Sequence, residues 1–433
     1  MATASARPNQ PNQSVQPARS QPEPSRPARG AVLAAATLTI MAAAIIAPSL
    51  PAMKADFAGT PGADLMVRFS LTVTSLAIAV SAPVSGVVAD RVGRRSLLVF
   101  GLVMYAVTGT AGFFATDLYV LLATRALLGV AVGAIMTAVS ATITDWFDGP
   151  RRASFLGLQQ VFASLGGVVF LPLAGLLAAV SWRAPFWIYT ASALVAVLAI
   201  RALREEPRAE PAAAAARPDR SRQPSADSVT GHHTTNRTDH ITSRITGLYL
   251  LALVVTLAFY MAPTQLPFLL SSHGSGPTAT GAVIAGSTLS SAAGALAFPV
   301  LRRRLSPAAI STVSVALLGA GWLLAGTAGT VAQIAAGLLV GGAGVGLAVP
   351  NLNLRLSELA HPDQRGRILS GLVTGIFLGQ FLSPLAVEPL IQLTGIADAF
   401  IWTGIAMAAG AALAALGTWR TRTAQTAHRQ HDH

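Results

Sequence analysis

Twelve long apolar stretches dominate the sequence and constrain its fold more than any other feature. About 20 apolar residues are enough to cross the hydrocarbon core of a bilayer, and the chain is 52% hydrophobic and only 11% charged. Backbone groups have no water partner inside a membrane, so each stretch must satisfy its own hydrogen bonds as a helix. The stretches also lack the alternating pattern of barrel strands. The sequence therefore predicts an all-α membrane protein with twelve transmembrane helices.

Hydrophilic segments divide these stretches into two groups of six. The N-terminal segment is rich in Pro, Gln and Ser, and the central one in Ala, Pro, Arg, Asp and His. Neither holds enough large apolar side chains to offset the entropy lost on ordering. We expect a disordered N-terminal tail (1–29), a six-helix bundle (30–203), a flexible linker (204–244), a second six-helix bundle (245–419) and a C-terminal tail (420–433).

The two groups of six resemble each other at the connection between their fourth and fifth helices. Gly157 follows Arg151 by six residues, and Gly371 follows Arg365 by the same interval. The pattern indicates a duplicated six-helix unit, although chance matching of small residues is the alternative. Transporters with parallel repeats hold their substrate between the halves near the midplane of the membrane.

Arginines occur in alternate connections between the apolar stretches. Short cytoplasmic loops accumulate Lys and Arg, which predicts that both termini and the linker are cytoplasmic. The connections predicted to be cytoplasmic carry Arg91, Arg94, Arg95, Arg151, Arg152, Arg302, Arg303, Arg304, Arg365 and Arg367. The other connections offer only Lys54, Arg68 and Arg183. The net charge of +12 therefore reflects the basic loops that orient the protein in the membrane. Basic residues spread between apolar blocks do not predict binding to nucleic acid.

Several kinds of chemistry have no basis in this sequence. It contains no cysteine, which excludes disulfides, thiolate metal sites and cysteine nucleophiles. The glycine run from Gly341 to Gly346 lacks the G-K-[ST] ending of a phosphate loop, and neither H-E-x-x-H nor G-x-S-x-G occurs. We expect neither an enzyme nor a cofactor nor a metal site.

The connection between the second and third stretches reads Gly86-Val-Val-Ala-Asp90-Arg91-Val-Gly93-Arg94-Arg95. It resembles the loop motif G-x-x-x-D-R-x-G-R-R of the major facilitator superfamily at every specified position. The resemblance implies two pseudo-symmetric six-helix bundles that rock about a midplane site. It also implies a conformational switch at Gly86, Asp90, Arg91, Gly93, Arg94 and Arg95. Asp90 would then lie against the start of the eleventh helix, near Arg365 and Arg367. A loop that only anchors the topology is the alternative.

The fourth stretch contains Arg125 followed by Gly129 and Gly133, which resembles a second motif of the superfamily. Arg125 lies eight residues past Asp117, hence about 12 Å into the membrane. A charge at that depth is costly and functional by default, so Arg125 is a candidate coupling residue. The alternative is that its long side chain extends to the membrane surface.

The fifth stretch resembles the antiporter motif of the drug-efflux branch at Gly157, Gly166, Gly167, Pro172 and Gly175. The match is incomplete because Leu171 and Leu176 replace glycines of that motif. Small residues with a proline also suit ordinary close packing of helices. We therefore interpret these five residues as a helix-packing motif and leave the antiport function open.

The first stretch ends in A-P-S-L-P, from Ala47 to Pro51, similar to the first helix of twelve-helix drug–proton antiporters. That branch often carries an acidic residue in this helix, and here none lies between Ala31 and Pro51. Another titratable group is Glu388, about 31 Å along its helix from Arg367. This position favours a surface anchor over a proton carrier.

Five polar residues within the apolar stretches are candidates to line a central cavity: Tyr260, Gln265, Asn351, Asn353 and Gln380. Hydrogen bonding between helices is the more common use of such side chains. Their depth in the membrane favours Tyr260 and Gln380 as the two residues that line the cavity. A cavity lined by Phe, Met, Leu and amides would accept apolar molecules, cations among them.

These features predict a secondary active transporter that exports drugs or small organic metabolites by alternating access, with protons as the coupling ion. Facilitated or sodium-coupled uptake of a small metabolite is one alternative, and a non-transporting membrane sensor is another. We expect a monomer in the bacterial cytoplasmic (inner) membrane. Its partners would be the lipid bilayer, a small-molecule substrate and protons.

Overall fold

The computed structural model describes residues 24–203, 234–361 and 364–431, and the regular elements of these ranges are helices. The first half of the chain contains α1 (Arg26–Ala44), α2 (Leu50–Asp56), α3 (Ala63–Val92), α4 (Arg94–Ala111), α5 (Leu118–Trp146), α6 (Gly149–Val180) and α7 (Ala191–Ala202). The second half contains α8 (Thr234–Phe259), α9 (Met261–Ser272), α10 (Pro277–Arg302), α11 (Pro307–Gly326), α12 (Val331–Leu359), α13 (Arg365–Thr394) and α14 (Ile396–His431). Short 3-10 segments lie at Ala47–Ser49, Gly112–Phe114 and Ala184–Thr190.

Within the described ranges, twelve helical segments are long and apolar enough to cross a membrane. Six belong to each half. The predicted fold class, an all-α membrane protein built from two six-helix bundles, is therefore confirmed.

The first spanning segment of each half is broken in the same way. In the first half the segment is interrupted between α1 and α2, around Pro48 and Pro51. In the second half α8 ends at Phe259 and α9 begins at Met261, with Pro263 in its first turn. Proline has no N–H to donate and clashes with the preceding turn, so each break has a local cause. The two short helices, α2 and α9, contact each other across the halves.

Helix α1 begins at Arg26, four residues inside the predicted N-terminal tail (1–29), and two other helices extend further beyond the predicted bounds. α8 begins at Thr234, inside the segment predicted as a linker, and α14 continues to His431, inside the predicted C-terminal tail. Neither added segment contains Gly or Pro, and a helix that is already nucleated extends into such sequence at little cost. Most of the predicted N-terminal tail and linker, residues 1–23 and 204–233, lies outside the described residues.

Glycines bring neighbouring helices into backbone contact inside each half. A Cβ atom added at Gly346 on α12 would collide with the Ser291 carbonyl of α10, and one added at Gly129 on α5 would collide with the Thr74 carbonyl of α3. Close approach of this kind is the usual way in which helices associate in a membrane. The glycines that follow Arg125 in the sequence therefore serve the packing of α5 on α3.

We expect Gly346→Val to destabilise the protein by about 1–3 kcal/mol, because the new side chain overpacks the contact between α10 and α12. The midpoint of thermal unfolding in detergent should fall accordingly. Gly410→Val is the matched control, since a Cβ atom at Gly410 on α14 meets nothing within 4 Å. Equal losses for the two variants would contradict the packing role.

Candidate functional site between the two halves

The two halves meet mainly along two helix pairs, α3 with α13 and α6 with α10. The end of the bundle at which α3 begins and α13 ends is called the Glu388 end below. The opposite end, at which α3 ends and α13 begins, is called the Asp90 end. The side chains that join the halves lie towards the first of these two ends.

A buried ion pair connects the halves at the Glu388 end. Nη1 of Arg68 on α3 donates to Oε2 of Glu388 on α13 at 2.5 Å, and the two side chains are 4% and 13% exposed. Nε of Arg68 donates to Oε1 of Gln265 on α9 at 3.1 Å. The guanidinium also lies 5.0 Å from the ring centre of Phe268. Three side chains of the second half therefore hold one arginine of the first.

Neutral polar groups continue from this ion pair towards the centre of the bundle. Oγ of Ser75, two turns from Arg68 on α3, donates to Oε1 of Gln380 on α13 at 2.8 Å. Tyr260, at the break between α8 and α9, is buried and interacts with the same serine. The structure thus brings together three of the five cavity candidates, Tyr260, Gln265 and Gln380, at the interface of the halves.

The other helix pair shows that the halves separate towards the Asp90 end. A Cβ atom added at Gly175 on α6 would lie 2.7 Å from the carbonyl oxygen of Pro277 on α10, and one at Gly167 would lie 3.0 Å from Cγ2 of Thr288. At Gly157, closer to the Asp90 end, it would meet nothing within 4 Å. α6 and α10 therefore touch near one end of the bundle and part towards the other.

The remaining residues of the predicted packing motif act within the first half. Gly166 lies against the backbone of Thr37 on α1, and Pro172 lies inside α6 without ending the helix. α6 therefore uses Gly166 to pack on its own half and Gly167 and Gly175 to contact the second half.

The Asp90 loop forms a network inside the first half. Arg94 pairs with Asp90 at 3.3 Å and with Asp145 of α5 at 2.9 Å. Gly93 has φ 92°, a value that glycine adopts freely and that permits the turn between α3 and α4. A Cβ atom at Gly86 would meet nothing within 4 Å, so among the described residues no neighbour lies close to that face of α3.

The side chain of Asp90 is 74% exposed in this conformation. Arg91 is also exposed, and Nη2 of Arg95 donates to the Ile200 carbonyl at the end of α7 at 2.8 Å. The approach of Asp90 to the start of α13, which the superfamily resemblance implies, requires the Asp90 end to close. Here that end is open.

Arg125 is completely buried inside the first half. Its Nη2 atom donates to the carbonyl oxygens of Thr108 and Gly109 at 3.1 and 2.7 Å. The guanidinium also lies 4.8 and 4.9 Å from the ring centres of Phe186 and Tyr189. Its side chain does not reach the membrane surface. Arg125 connects α5 to the end of α4 and to the segment that precedes α7.

The two asparagine candidates make contacts within the second half. Nδ2 of Asn351 on α12 donates to the Pro307 carbonyl at 2.9 Å and to Oγ of Ser311 at 2.8 Å, both on α11. Nδ2 of Asn353 donates to the Val349 carbonyl on its own helix at 3.0 Å. None of these three hydrogen bonds reaches the interface between the halves.

Arg68 and Ser75 complete this interface, although the sequence did not identify either as a site residue. Arg68 was assigned to a connection between spans, whereas it lies inside α3, in a buried position. A charged residue within an apolar stretch was the available signal. Glu388 in the eleventh stretch is the matching signal, and nothing in the sequence shows that the two residues meet.

The architecture is that of a membrane protein with two helix bundles, which are joined at one end of their interface and parted at the other. A family model of the Major Facilitator Superfamily matches residues 32–384 and 248–433. The chain belongs to this superfamily, and it is a transporter rather than an enzyme.

Curated relatives match only part of the chain. The quinolone resistance protein NorA of Staphylococcus aureus is 25% identical over 173 residues, which is 40% of this chain and 43% of NorA. The hexuronate transporter of Bacillus subtilis is 30% identical over 125 residues, which is 28% of this chain and 30% of that protein. The matches thus span less than half the length of each relative.

Solved structures match nearly the whole fold. The nucleoside transporter NupG has a TM-score of 0.70 at 12% identity, over 90% of this chain and 99% of that chain. A bacterial homolog of the human lysosomal transporter Spinster, in an inward-facing and occupied conformation, has a TM-score of 0.64 at 16% identity, over 90% and 96%. At these identities the likeness concerns the fold alone.

We expect Asp90→Asn to slow turnover about two- to fivefold, because a carboxylate at a helix N-terminus contributes about 0.3–1 kcal/mol to the state that it stabilises. Efflux of the fluorescent cation ethidium from cells, normalised to protein in the membrane, measures the change. Asp148→Asn is the control, since Asp148 is 99% exposed and pairs with Arg152 at the same end. Unchanged efflux in the Asp90 variant would argue against the switch.

We expect Arg125→Ala to lower the free energy of unfolding by at least about 1–3 kcal/mol, because two buried carbonyl groups lose their donor. The midpoint of thermal unfolding in detergent measures the loss, and Arg201→Ala on the exposed face of α7 is the control. A variant that unfolds like the wild type but no longer transports would indicate that Arg125 acts in coupling and not in packing.

Proposed function

We propose that the protein exports small organic molecules, drugs among them, in exchange for protons by alternating access. The observation that carries this proposal is the contrast between the two ends of the bundle. At the Glu388 end, a buried ion pair joins the halves, and at the Asp90 end α6 and α10 have parted. One end closed and one end open is the arrangement that rigid-body alternating access requires.

The arginine distribution supports the proposed orientation in the membrane, in which an exporter would collect its cargo at the Asp90 end. Loops with Arg91, Arg94, Arg95 and Arg302 belong to the Asp90 end, and loops of this kind stay in the cytoplasm. With that orientation, the conformation is open to the cytoplasm of a bacterial cell and collects its cargo there. Both termini then lie in the cytoplasm. A single chain contains both halves of the site, so a monomer is sufficient.

The chemistry of the interface supports an aromatic or apolar cargo. Phe69 and Phe381 stack across the halves with ring centres 5.8 Å apart, close in sequence to Ser75 and Gln380, whose neutral polar groups are hydrogen-bonded to each other. Apolar walls with a few uncharged hydrogen-bonding groups suit lipophilic molecules with a small number of polar atoms. The name of the relative NorA, a quinolone resistance protein, agrees with this class of substrate.

Protons are the proposed energy source. The sequence has no phosphate-binding loop that would indicate ATP. Sodium-coupled or facilitated uptake is the rival within transport, and the similarity to a hexuronate transporter supports it. A transporter of that kind would move a polar metabolite, whereas the part of the interface around Ser75 and Gln380 is aromatic and uncharged.

The test uses purified protein in liposomes with an imposed pH gradient. We expect norfloxacin, a quinolone, or ethidium to accumulate against its concentration gradient, and to stop when an ionophore removes the pH gradient. Accumulation of glucuronate or a nucleoside driven by a sodium gradient would overturn the proposal in favour of uptake. No movement of norfloxacin or ethidium under either gradient would overturn the proposed export of drugs.

A further inference from the structure

We propose that Glu388 is the proton-binding group of this transporter, and that Arg68 and the proton occupy its carboxylate in turn. The inference rests on the proton-coupled function proposed above. The drug–proton antiporters that this chain resembles often carry an acid in the first helix, and here that helix has none between Ala31 and Pro51. The buried pair of α3 and α13 supplies a titratable carboxyl group at another place.

The geometry shows that the carboxylate is fully engaged in the present conformation. Oε2 of Glu388 accepts from Nη1 of Arg68 at 2.5 Å, and Oε1 accepts from Nε2 of Gln392, one turn further along α13, at 3.3 Å. Both partners are donors. A proton on either oxygen would face a donor instead of an acceptor, so this arrangement belongs to the ionised carboxylate.

Opening of the Glu388 end must break this arrangement, because the two charges belong to different halves. Arg68 moves with α3, whereas Glu388 and Gln265 move with the second half. Breaking a buried ion pair leaves each charge without compensation. The carboxylate takes a proton from the water that enters. The guanidinium keeps only water and the carbonyl oxygen of Asp64 on its own helix, which lies 3.4 Å from Nη1 in the present conformation.

Closing the Glu388 end reverses the exchange. Arg68 returns to Oε2 and displaces the proton, which leaves towards the open Asp90 end. The way out begins at Gln380 and Ser75, which lie on α13 and α3 about 11–12 Å further into the bundle. Each cycle therefore takes up one proton at one end and releases it at the other, and no covalent bond other than O–H forms or breaks.

The other charged groups near Glu388 are occupied or exposed. Asp64, one turn from Arg68, pairs with Lys54 at 2.7 Å. The ring Nδ1 of His273, at the end of α9, lies 2.9 Å from the Leu269 carbonyl. Asp398 is exposed in the first turn of α14.

The remaining helices that contact α13 carry their charged groups at its other end. Arg244 lies near the start of α8, and Arg355 and Glu358 lie near the end of α12. Among the described residues, Arg68 is therefore the cation that contacts Glu388.

The test compares Glu388→Gln with the wild type in two liposome assays. Exchange of labelled ethidium at equal pH on both sides requires only binding and conformational change, whereas accumulation against a concentration gradient requires proton coupling. We expect Glu388→Gln to retain exchange and to lose accumulation about tenfold or more, within the range of about 5- to 150-fold typical of coupling between sites. Glu358→Gln, at the Asp90 end and paired with Arg302, is the matched control and should keep both activities.

A second measurement follows the opening of the Glu388 end directly. Because the chain has no cysteine, spin labels can be placed at the exposed positions Ala58→Cys and Leu393→Cys, one in each half. We expect acid to increase the population with the longer distance in the wild type, and Glu388→Gln to hold that distance distribution constant with pH. Arg68→Gln should move the midpoint of the wild-type change to higher pH, because the variant lacks the cation that competes with the proton for the carboxylate.

The outcomes separate this inference from the function on which it rests. A wild type that exchanges ethidium but never accumulates it under a pH gradient would refute proton coupling itself. A wild type that does accumulate it, together with a Glu388→Gln variant that accumulates it equally and keeps the pH-dependent distances, would refute the role of Glu388 alone. A Glu388→Gln variant that loses exchange as well would also refute this role, since the residue would then be needed for binding or movement.

Discussion

A charged side chain in a membrane must reach water, meet a charge of opposite sign or be held by backbone carbonyl groups, as Arg125 is. Arg68 and Glu388 meet each other, and they come from different halves of the protein. The two charges therefore compensate each other only while the halves are in contact at this end. In the proposed alternating access, the strength of this contact depends on whether water can enter the Glu388 end, which differs between the two states. The stability of the closed Glu388 end would then depend on the entry of water, which the closed end itself prevents.

The packing of the helices allows this response because the contacts within a half differ from the contacts between halves. Within a half, glycines such as Gly129 and Gly346 fix helices against a neighbouring backbone. Arg125 adds hydrogen bonds and ring contacts that tie α5 to its neighbours. Between the halves, contacts concentrate near the Glu388 end. Each bundle can therefore move as a unit while the interface opens and closes.

The fold could be predicted from the sequence because the long apolar stretches and the Asp90 loop motif are local signals. In a membrane, an apolar stretch of that length has almost no choice but to form a helix. The sequence was less informative about the site. Arg68 and Glu388 lie 320 positions apart, and each resembles an interfacial anchor when its own helix is considered alone. The polar residues show the same limit. Depth favoured Tyr260 and Gln380 as cavity residues, and this stays a prediction. The face of the helix on which Asn351 lies depends on its neighbour α11, which no periodicity of α12 reveals.

The crossing of α6 and α10 has a mechanical consequence. Gly175 touches the backbone of α10, so this point works as a fulcrum. Gly157 lies 18 residues away, a lever arm of about 27 Å along a straight helix. Tilting α6 by about 10° at the fulcrum would displace the far tip by roughly 5 Å, close to one helical pitch. A movement small enough to leave the hydrogen bonds of each bundle intact would thereby open a passage for a molecule at the far tip of α6.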